Sequence, residues 1–354
     1  MFTFTPMRNG FGRAVPFALI AAFGLAACGS GYNSSTPYGM SGAIGAAASK
    51  LFAADSTHRV VGSLANPDPP TGSLTVDRVI GPTSPYFYNY AMFSTNIGSL
   101  ALDTTRDYLY VGNGTSILVF YGASMANGDF LYNATIGPIG NTGSLFLDAA
   151  GDRLYVGDDV SNNVKVFSPA SMANTMSMPR LVTGMTTPIH GVAVDTVNTV
   201  HDILYVSNEN STTHQISVFD NAAAVTNETP NRTITPTVST VNQPVGGISV
   251  DATRNLLYVA GGSSSSQVMV FSGASSANDV SGATTPGKIL TFPSGTGILK
   301  VVVDTTHDRL YAVGANGHIY LVENVSTLSP GAVTAKDASL SNGGMLTAVA
   351  VNPN

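Results

Sequence analysis

Ten acidic or amide side chains recur at matched positions along this chain and would amply supply groups for acid–base chemistry. Five aspartates each end a short apolar run: Asp103, Asp148, Asp195, Asp251 and Asp304. A second acid or amide follows each of them a few residues later: Asp107, Asp152, Asp202, Asn255 and Asp308. An active site is not built once per repeat, whereas Asp and Asn readily accept hydrogen bonds from backbone amides in tight turns. We therefore predict that these residues form turns rather than a catalytic site.

Four further residues carry the oxygen ligands that a hard divalent cation prefers. They are Asn113, Asp158, Asn208 and Glu209. No motif joins them, and Asn and Asp at strand ends commonly form turns. We therefore predict no cofactor, and a divalent metal bound by these residues is the alternative.

Two histidines offer a second kind of chemistry. His190 or His318 beside Glu209 would make an acid–base pair. A solvated histidine on a loop is the simpler interpretation, so we assign no catalytic residue.

The elements that must position these side chains are short strands that repeat five times. Each unit has a small apolar strand, an Asp, a tight turn and a Leu-Tyr pair, and the tyrosines are Tyr110, Tyr155, Tyr205, Tyr258 and Tyr311. Their spacings are 45, 50, 53 and 53 residues. A period of this length filled with short strands is typical of a radial repeat.

The unit over 191–236 shows four strands, of which the first is apolar on both faces and the last is the most polar. The segment 346–352 is a first strand with nothing after it, and 49–55 is a second strand with nothing before it. Pairing these two segments would complete a sixth unit and remove the free sheet edges. The sequence therefore predicts an all-β fold: a six-bladed β-propeller of four-stranded blades over 49–354, closed by pairing the C-terminal strand with the N-terminal blade.

Composition narrows the classes of partner. The chain has 354 residues, of which only 10% are charged, with a formal net charge of −6. It has no basic stripe, so we predict no nucleic-acid partner.

The first 27 residues predict an export signal. Arg8 and Arg13 precede an apolar stretch that ends Leu25-Ala26-Ala27-Cys28. This ending resembles a bacterial lipobox, which implies cleavage before Cys28 and acylation of its thiol. The alternative is an ordinary signal peptide followed by a chance cysteine. Residues 28–48 are rich in Gly, Ser and Ala and predict a flexible tether. The lipobox implies a membrane partner through a lipid anchor in the cell envelope. Gly29 at the next position favours the outer membrane over the inner one.

The string of residues 191–220 resembles the NHL-type repeats of bacterial propellers. It reads Gly-Val-Ala-Val-Asp, then Leu-Tyr-Val-Ser-Asn, then Ile-Ser-Val-Phe-Asp. That family includes binding modules, scaffolds, lactonases and lyases, so it implies a fold and leaves function open. The resemblance implies a site at the mouth of the central channel, with Ser99, Ser144, His190, Gly246, Lys300 and Thr347 around it. The candidate binding face implied in this way comprises Asn113, Asp158, His190, Asn208, Glu209, Lys300, Asn316 and His318.

One segment, 82–98, breaks the repeat and contains Tyr86, Phe87, Tyr88 and Tyr90. Tyrosines give a large contact area and a polar tip, which suits a surface that binds protein or glycan. The alternative is that the segment folds over the channel mouth or packs between blades.

These observations favour a lipid-anchored, non-enzymatic binding or scaffold module for an envelope protein or glycan. The first alternative is an exported metal-dependent lactonase or hydrolase with its site at the channel mouth. The second is a purely structural envelope protein.

Overall fold

A computed structural model describes most of the predicted propeller. The described residues are 50–69, 71–81, 93–94, 97–128, 130–196, 202–209, 212, 214–226, 229–239, 241–275, 282–340 and 343–353. They form six antiparallel four-stranded blades, which confirms the predicted fold class. Within the same residues, no helix is long and apolar enough to cross a membrane.

The first three blades, from innermost to outermost strand, are as follows. Blade 1 contains β28 (Leu346–Val351), β1 (Leu51–Asp55), β2 (Val60–Leu64) and β4 (Arg78–Ile80). Blade 2 contains β5 (Ile97–Asp103), β6 (Tyr108–Asn113), β7 (Ser116–Tyr121) and β8 (Ala134–Ile136). Blade 3 contains β9 (Thr142–Asp148), β10 (Arg153–Asp158), β11 (Asn163–Phe167) and β12 (Arg180–Val182).

The other three blades follow the same order. Blade 4 contains β13 (Ile189–Asp195), β14 (Ile203–Glu209), β15 (His214–Asp220) and β16 (Arg232–Val238), with a short hairpin partner, β17 (Val241–Asn242). Blade 5 contains β18 (Ile248–Asp251), β19 (Leu256–Ala260), β20 (Gln267–Ser272) and β22 (Lys288–Thr291). Blade 6 contains β23 (Ile298–Asp304), β24 (Arg309–Gly314), β25 (Ile319–Glu323) and β27 (Lys336–Leu340).

The two ends of the propeller close the ring as predicted. β28 pairs with β1 in an antiparallel register that runs from Leu51 opposite Val351 to Ala54 opposite Ala348. Blade 1 therefore takes one strand from the C-terminal end and three from the N-terminal end. This pairing satisfies backbone groups that would otherwise form a free sheet edge.

In the described residues the core consists of six hydrophobic clusters, and the buried residues of each cluster come from two neighbouring blades. The repeated tyrosine of the second strand is fully buried in five blades, and Phe52 takes its place in blade 1. Burying an aliphatic or aromatic side chain of this size contributes about 1.5–3 kcal/mol. A blade cannot bury both of its faces alone, so stacking around the axis stabilises each one.

The repeated aspartates form turns, as the sequence predicts. The Asp103 carboxylate accepts hydrogen bonds from the backbone amides of Thr105 at 2.9 Å and Arg106 at 3.0 Å. Asp107 then adopts a φ of 57°, a conformation that Asp and Asn tolerate better than most residues. Its carboxylate accepts bonds from the amide and hydroxyl of Ser124. The same pair of contacts joins Asp152 to Ser171 and Asp308 to Ser326.

Three short strands cover the outer edge of a neighbouring blade. They are β3 (Gly72–Leu74), β21 (Gly282–Thr284) and β26 (Gly331–Ala332), and each lies in the connection between the third and fourth strands of its own blade. They run parallel to β27, β16 and β22, which are the fourth strands of the preceding blades. A single bridge from Gly128 to Ile80 covers β4 in the same way. We call these four pieces the covering segments.

Candidate functional site

The channel mouth is shaped by bulges in the first strands. In five blades, the pairing of the first strand with the second shifts by one residue near the start of the first strand. These first strands are β5, β9, β13, β23 and β28. Bulges of this kind re-aim side chains at the rims of closed sheets. His190 and Thr347 lie at the bulge, whereas Ser99, Ser144 and Lys300 come one residue later. The predicted ring therefore mixes two positions of the strand, because the sequence does not reveal a one-residue bulge.

Lys300 spans the channel. It starts from the first strand of blade 6, and its ammonium donates hydrogen bonds to the carbonyl of Gly98 in blade 2 and, at 2.9 Å, to that of Gly143 in blade 3. Burial at this position lowers the pKa of Lys300 to about 8, although Asp159 acts to raise it. The Lys300 side chain therefore connects blades 2, 3 and 6 across the channel and contributes to the structure of the propeller.

A cavity of about 220 Å³ follows the channel between the first strands. Its lining is mainly apolar and includes Leu102, Phe146, Val250 and Val302, with the Lys300 side chain also on its wall. Carboxylates and histidines are not among the residues that line it. This lining offers neither an acid–base pair nor a set of oxygen ligands for a metal.

Asp158 is a fully buried carboxylate at the end of the second strand of blade 3. It accepts bonds from the Lys165 ammonium at 2.6 Å and from the backbone amides of Gly140 and Asn141 at 2.8 and 3.1 Å. Burial acts to raise its pKa, but these donors and the amide of Ser161 outweigh it and lower the pKa of Asp158 to about 2. The carboxylate therefore holds the connection between blades 2 and 3, which contains Gly140 and Asn141, against blade 3.

Asn208 and Glu209 end the second strand of blade 4 and are also bound within the fold. The Asn208 amide donates to Thr187 Oγ1 at 3.1 Å, and its oxygen accepts from Ser217 Oγ at 3.1 Å. Glu209 accepts a bond from the backbone amide of Val245 and lies 3.5 Å from His214 Nδ1. Glu209 is the last residue of β14.

Three further residues of the candidate face, Asn113, Asn316 and His318, belong to blades 2 and 6. Asn113 accepts a bond from the Ser94 amide at 2.5 Å, and the Asn316 amide donates to Tyr320 Oη at 2.7 Å. His318 Nδ1 lies 2.7 Å from Asp337 Oδ1 in its own blade. Asn316 lies beyond the end of β24 at Gly314, so it is two residues past the position that Asn113 occupies in blade 2.

Among the described residues, Glu209 forms no hydrogen bond or ion pair with His190 or His318, and the predicted metal ligands are distributed over three blades. Asn113, Asp158 and the pair Asn208–Glu209 belong to three different blades, and His318 belongs to a fourth. His190 is exposed at the mouth. Within the described part of the chain, no three His, Cys, Asp or Glu side chains are grouped closely enough to hold a metal ion.

Several predictions fall on residues outside the described ranges. These residues are Cys28, Tyr86, Phe87, Tyr88 and Tyr90. Lipidation at Cys28 and binding through the aromatic segment both stay predictions.

Sequence reasoning missed a basic residue at the start of most fourth strands. Arg78, Arg180, Arg232 and Lys288 each donate to backbone carbonyls in the connection of the next blade. Lys336 instead forms an ion pair with the Asp68 carboxylate in the connection of blade 1. The sequence signal is an Arg or Lys two residues before an apolar residue, as in Arg78-Val79-Ile80. Blade 2 has Ala134 at this position, so it lacks the bridge.

The second missed feature is a set of exposed apolar side chains on the two segments that flank β8. We call them the rim patch: Met125, Leu131 and Tyr132 in blade 2, and Met172, Met176 and Met178 in blade 3. Met176 and Met178 are 88% and 94% exposed. Both segments are third-to-fourth connections, which lie at the outer side of the propeller.

Comparison with solved structures identifies the fold of this chain and does not identify its function. The chain is similar to the solved structure described as the WD40 beta propeller domain of Doa1, with a TM-score of 0.51 and 13% identity over 88% of each chain. It is also similar to a chain in the nidogen/laminin complex, with a TM-score of 0.54 and 13% identity over 86% of this chain and 97% of that one. No protein-family model and no curated protein sequence matches the chain. These likenesses show a β-propeller.

Proposed function

We propose that this chain is a lipid-anchored β-propeller of the bacterial cell envelope that binds another protein and catalyses no reaction. The rim patch is the observation that carries this proposal. Its six side chains are each at least 45% exposed and lie on two successive third-to-fourth connections, and exposed apolar surface of this kind commonly marks an interaction site. Methionine suits such a surface because its flexible thioether adapts to different partners.

The contacts at the channel mouth favour binding over catalysis. A lactonase or hydrolase would need Asp158, Asn208 or Glu209 free to hold a metal or move a proton. In the described structure these groups bind backbone amides and neighbouring side chains. The predicted glycan partner has less support, because the rim patch contains one tyrosine and five aliphatic or thioether side chains.

Anchoring is proposed from the sequence alone. Cys28 follows a short apolar leader and precedes a Gly/Ser-rich stretch. Acyl chains on this residue would hold the protein at a membrane, since each buried methylene contributes about 0.8 kcal/mol. We place the anchor in the outer membrane by resemblance to lipoproteins that have no Asp after the cysteine.

Capture of partners from envelope extracts tests this function. A triple variant, Met172→Gln, Met176→Gln and Met178→Gln, is compared with wild type and with a matched triple variant at exposed apolar residues elsewhere. The control carries Val160→Gln, Val241→Gln and Met345→Gln, which are 69%, 62% and 45% exposed in wild type.

We expect the rim variant to lose proteins that the control variant still captures. Retention of all partners by the rim variant would contradict the proposal, as would an equal loss in both variants. Labelling with radioactive palmitate, absent in Cys28→Ala, tests the anchor separately.

A further inference from the structure

The junction between blades 2 and 3 differs from the covered junctions. At four junctions a covering segment pairs with the outer edge of a fourth strand. Each of these fourth strands has a buried apolar residue two positions after its basic residue, and the residue that pairs with it from the covering segment is a glycine. The pairs are Gly128 with Ile80, Gly282 with Ile234, Gly331 with Leu290 and Gly72 with Ala338. The corresponding apolar residue of β8 is Ile136, and no described residue pairs with the outer edge there.

Backbone conformation explains the difference. Gly128, Gly72 and Gly331 have φ values of 74°, 97° and 124°. The connections of blades 2 and 3 share the letters Ala-Ser-Met-Ala-Asn, and the next residue is Gly128 in one and Thr175 in the other. A β-branched residue with positive φ is strongly disfavoured. The path that Gly128 takes is therefore disfavoured for Thr175.

The asparagine before this residue shows the same contrast. Asn127 reaches across to the preceding blade, where its side chain accepts a bond from the Val79 amide at 3.1 Å. Asn174 folds back on its own loop, and its side chain accepts a bond from the Met176 amide at 2.8 Å. The loop of blade 3 thus forms a local turn beside β8 and leaves Met176 exposed.

The backbone of Thr135 has the donor and acceptor that a strand would use. β8 pairs with β7 in the register that β4 has with β2, so Thr135 corresponds to Val79. The Val79 carbonyl accepts a bond from Gly128 at 2.6 Å, and its amide donates to Asn127. The same groups of Thr135 point toward the outer edge of blade 2, which we call the open edge. Thr135 itself is half-buried.

We propose that the open edge binds an extended segment of a partner protein as an added strand parallel to β8, with a glycine opposite Ile136. This inference rests on the proposed binding function and names its mode. The four covering segments show which occupant such an edge accepts, since three are short strands rich in Gly, Ala, Ser and Thr. Strand addition of this type gains affinity from main-chain hydrogen bonds and specificity from neighbouring side-chain contacts. The rim patch lies on both segments that flank this edge and would contact the side chains of the added strand.

A labelled peptide with the sequence of 71–76, Thr-Gly-Ser-Leu-Thr-Val, is the probe, because these residues include a covering segment in the protein itself. Fluorescence anisotropy measures its binding to the full chain. The comparison peptide replaces the glycine by valine. We expect the glycine peptide to bind at least about tenfold more tightly, because the valine would need the disfavoured φ.

Two variants at one position separate backbone from side chain. Thr135→Pro removes the outward amide and is tolerated on an edge strand, so we expect binding at least about tenfold weaker. Thr135→Val keeps the amide and should bind like wild type. Amide exchange in the wild-type protein gives a reading that depends on no variant: the Thr135 amide should become protected when the peptide binds.

Three results would overturn strand addition. These are equal binding by Thr135→Pro and wild type, binding without protection of the Thr135 amide, and no binding of the glycine peptide at millimolar concentration. If partner capture through the rim patch persisted in those cases, the binding function would stand and only its mode would be wrong.

Discussion

Two junctions of this propeller share the string Ala-Ser-Met-Ala-Asn in their connections and differ in structure. Between blades 1 and 2, Gly128 and Asn127 bond to the edge of β4, and Arg78 donates to the Ser124 carbonyl. Between blades 2 and 3, Thr175 and Asn174 form a local turn, and Ala134 replaces the basic residue. The two junctions therefore diverge at the residue after the shared asparagine, which is Gly128 with a φ of 74° in one and Thr175 in the other, and at the basic residue that starts the fourth strand.

The junction with the open edge keeps both apolar and polar contacts between its two blades. Ile136 of blade 2 packs in one cluster with Ala170 and Ala173 of blade 3. Asp158 adds the bonds to Gly140 and Asn141 near the channel. These contacts join blades 2 and 3 although no described strand pairs with the outer edge of β8.

Exchanging the two deciding residues should have the largest effect. Gly128→Thr forces a β-branched residue into a φ of 74° or breaks the bonds to Val79 and Gly81, so we expect a loss of about 2 kcal/mol in the free energy of unfolding. The space beside Gly128 is open, so no steric clash adds to this cost. Thr175→Gly should change the unfolding free energy by less than about 0.5 kcal/mol. Urea unfolding of both variants measures the difference, and equal values would refute the role of φ.

Acid should weaken the inner contact of the junction between blades 2 and 3. The pKa of Asp158 is lowered from 3.8 to about 2 in the folded protein. Its contribution is therefore complete above the unfolded pKa and is lost as the pH falls toward 2. We expect Asp158→Asn to cost on the order of 2 kcal/mol near neutral pH, with a smaller difference at about pH 3. Urea unfolding at both pH values checks this, and a difference that grows in acid would contradict it.

The smallest effect should come from two equivalent tyrosines. At a covered junction, the Tyr311 hydroxyl donates to the Pro67 carbonyl at 2.5 Å, in the connection that carries β3. At the junction with the open edge, the buried Tyr110 hydroxyl has no hydrogen-bond partner among the described residues. We expect Tyr311→Phe to cost about 1 kcal/mol and Tyr110→Phe to be neutral or slightly stabilising. Thermal unfolding distinguishes them, and an equal loss would mean that the hydroxyls contribute alike.

The sequence predicted local features best. Asp103 and Asp107 bind amides and hydroxyls within their own repeat, so their types and spacing were sufficient to predict turns. The pairing of 346–352 with 49–55 was predictable because each segment lacked a strand that the repeat requires. The candidate site was predictable in residue type only. Asn208 and Asp158 lie at strand ends as predicted, but which groups they bind depends on neighbouring loops.

Six blades, the order of their strands and the turns that join them could be predicted from the sequence, because they follow from short-range hydrogen bonds and a repeated apolar pattern. Tertiary structure alone decided that Lys300 crosses the channel to Gly98 and Gly143, which are far away along the chain. It also decided that the edge beside Thr135 is open. The physical reason is that these outcomes depend on the backbone path of one blade relative to the next, and a change from glycine to threonine alters that path without altering the repeat.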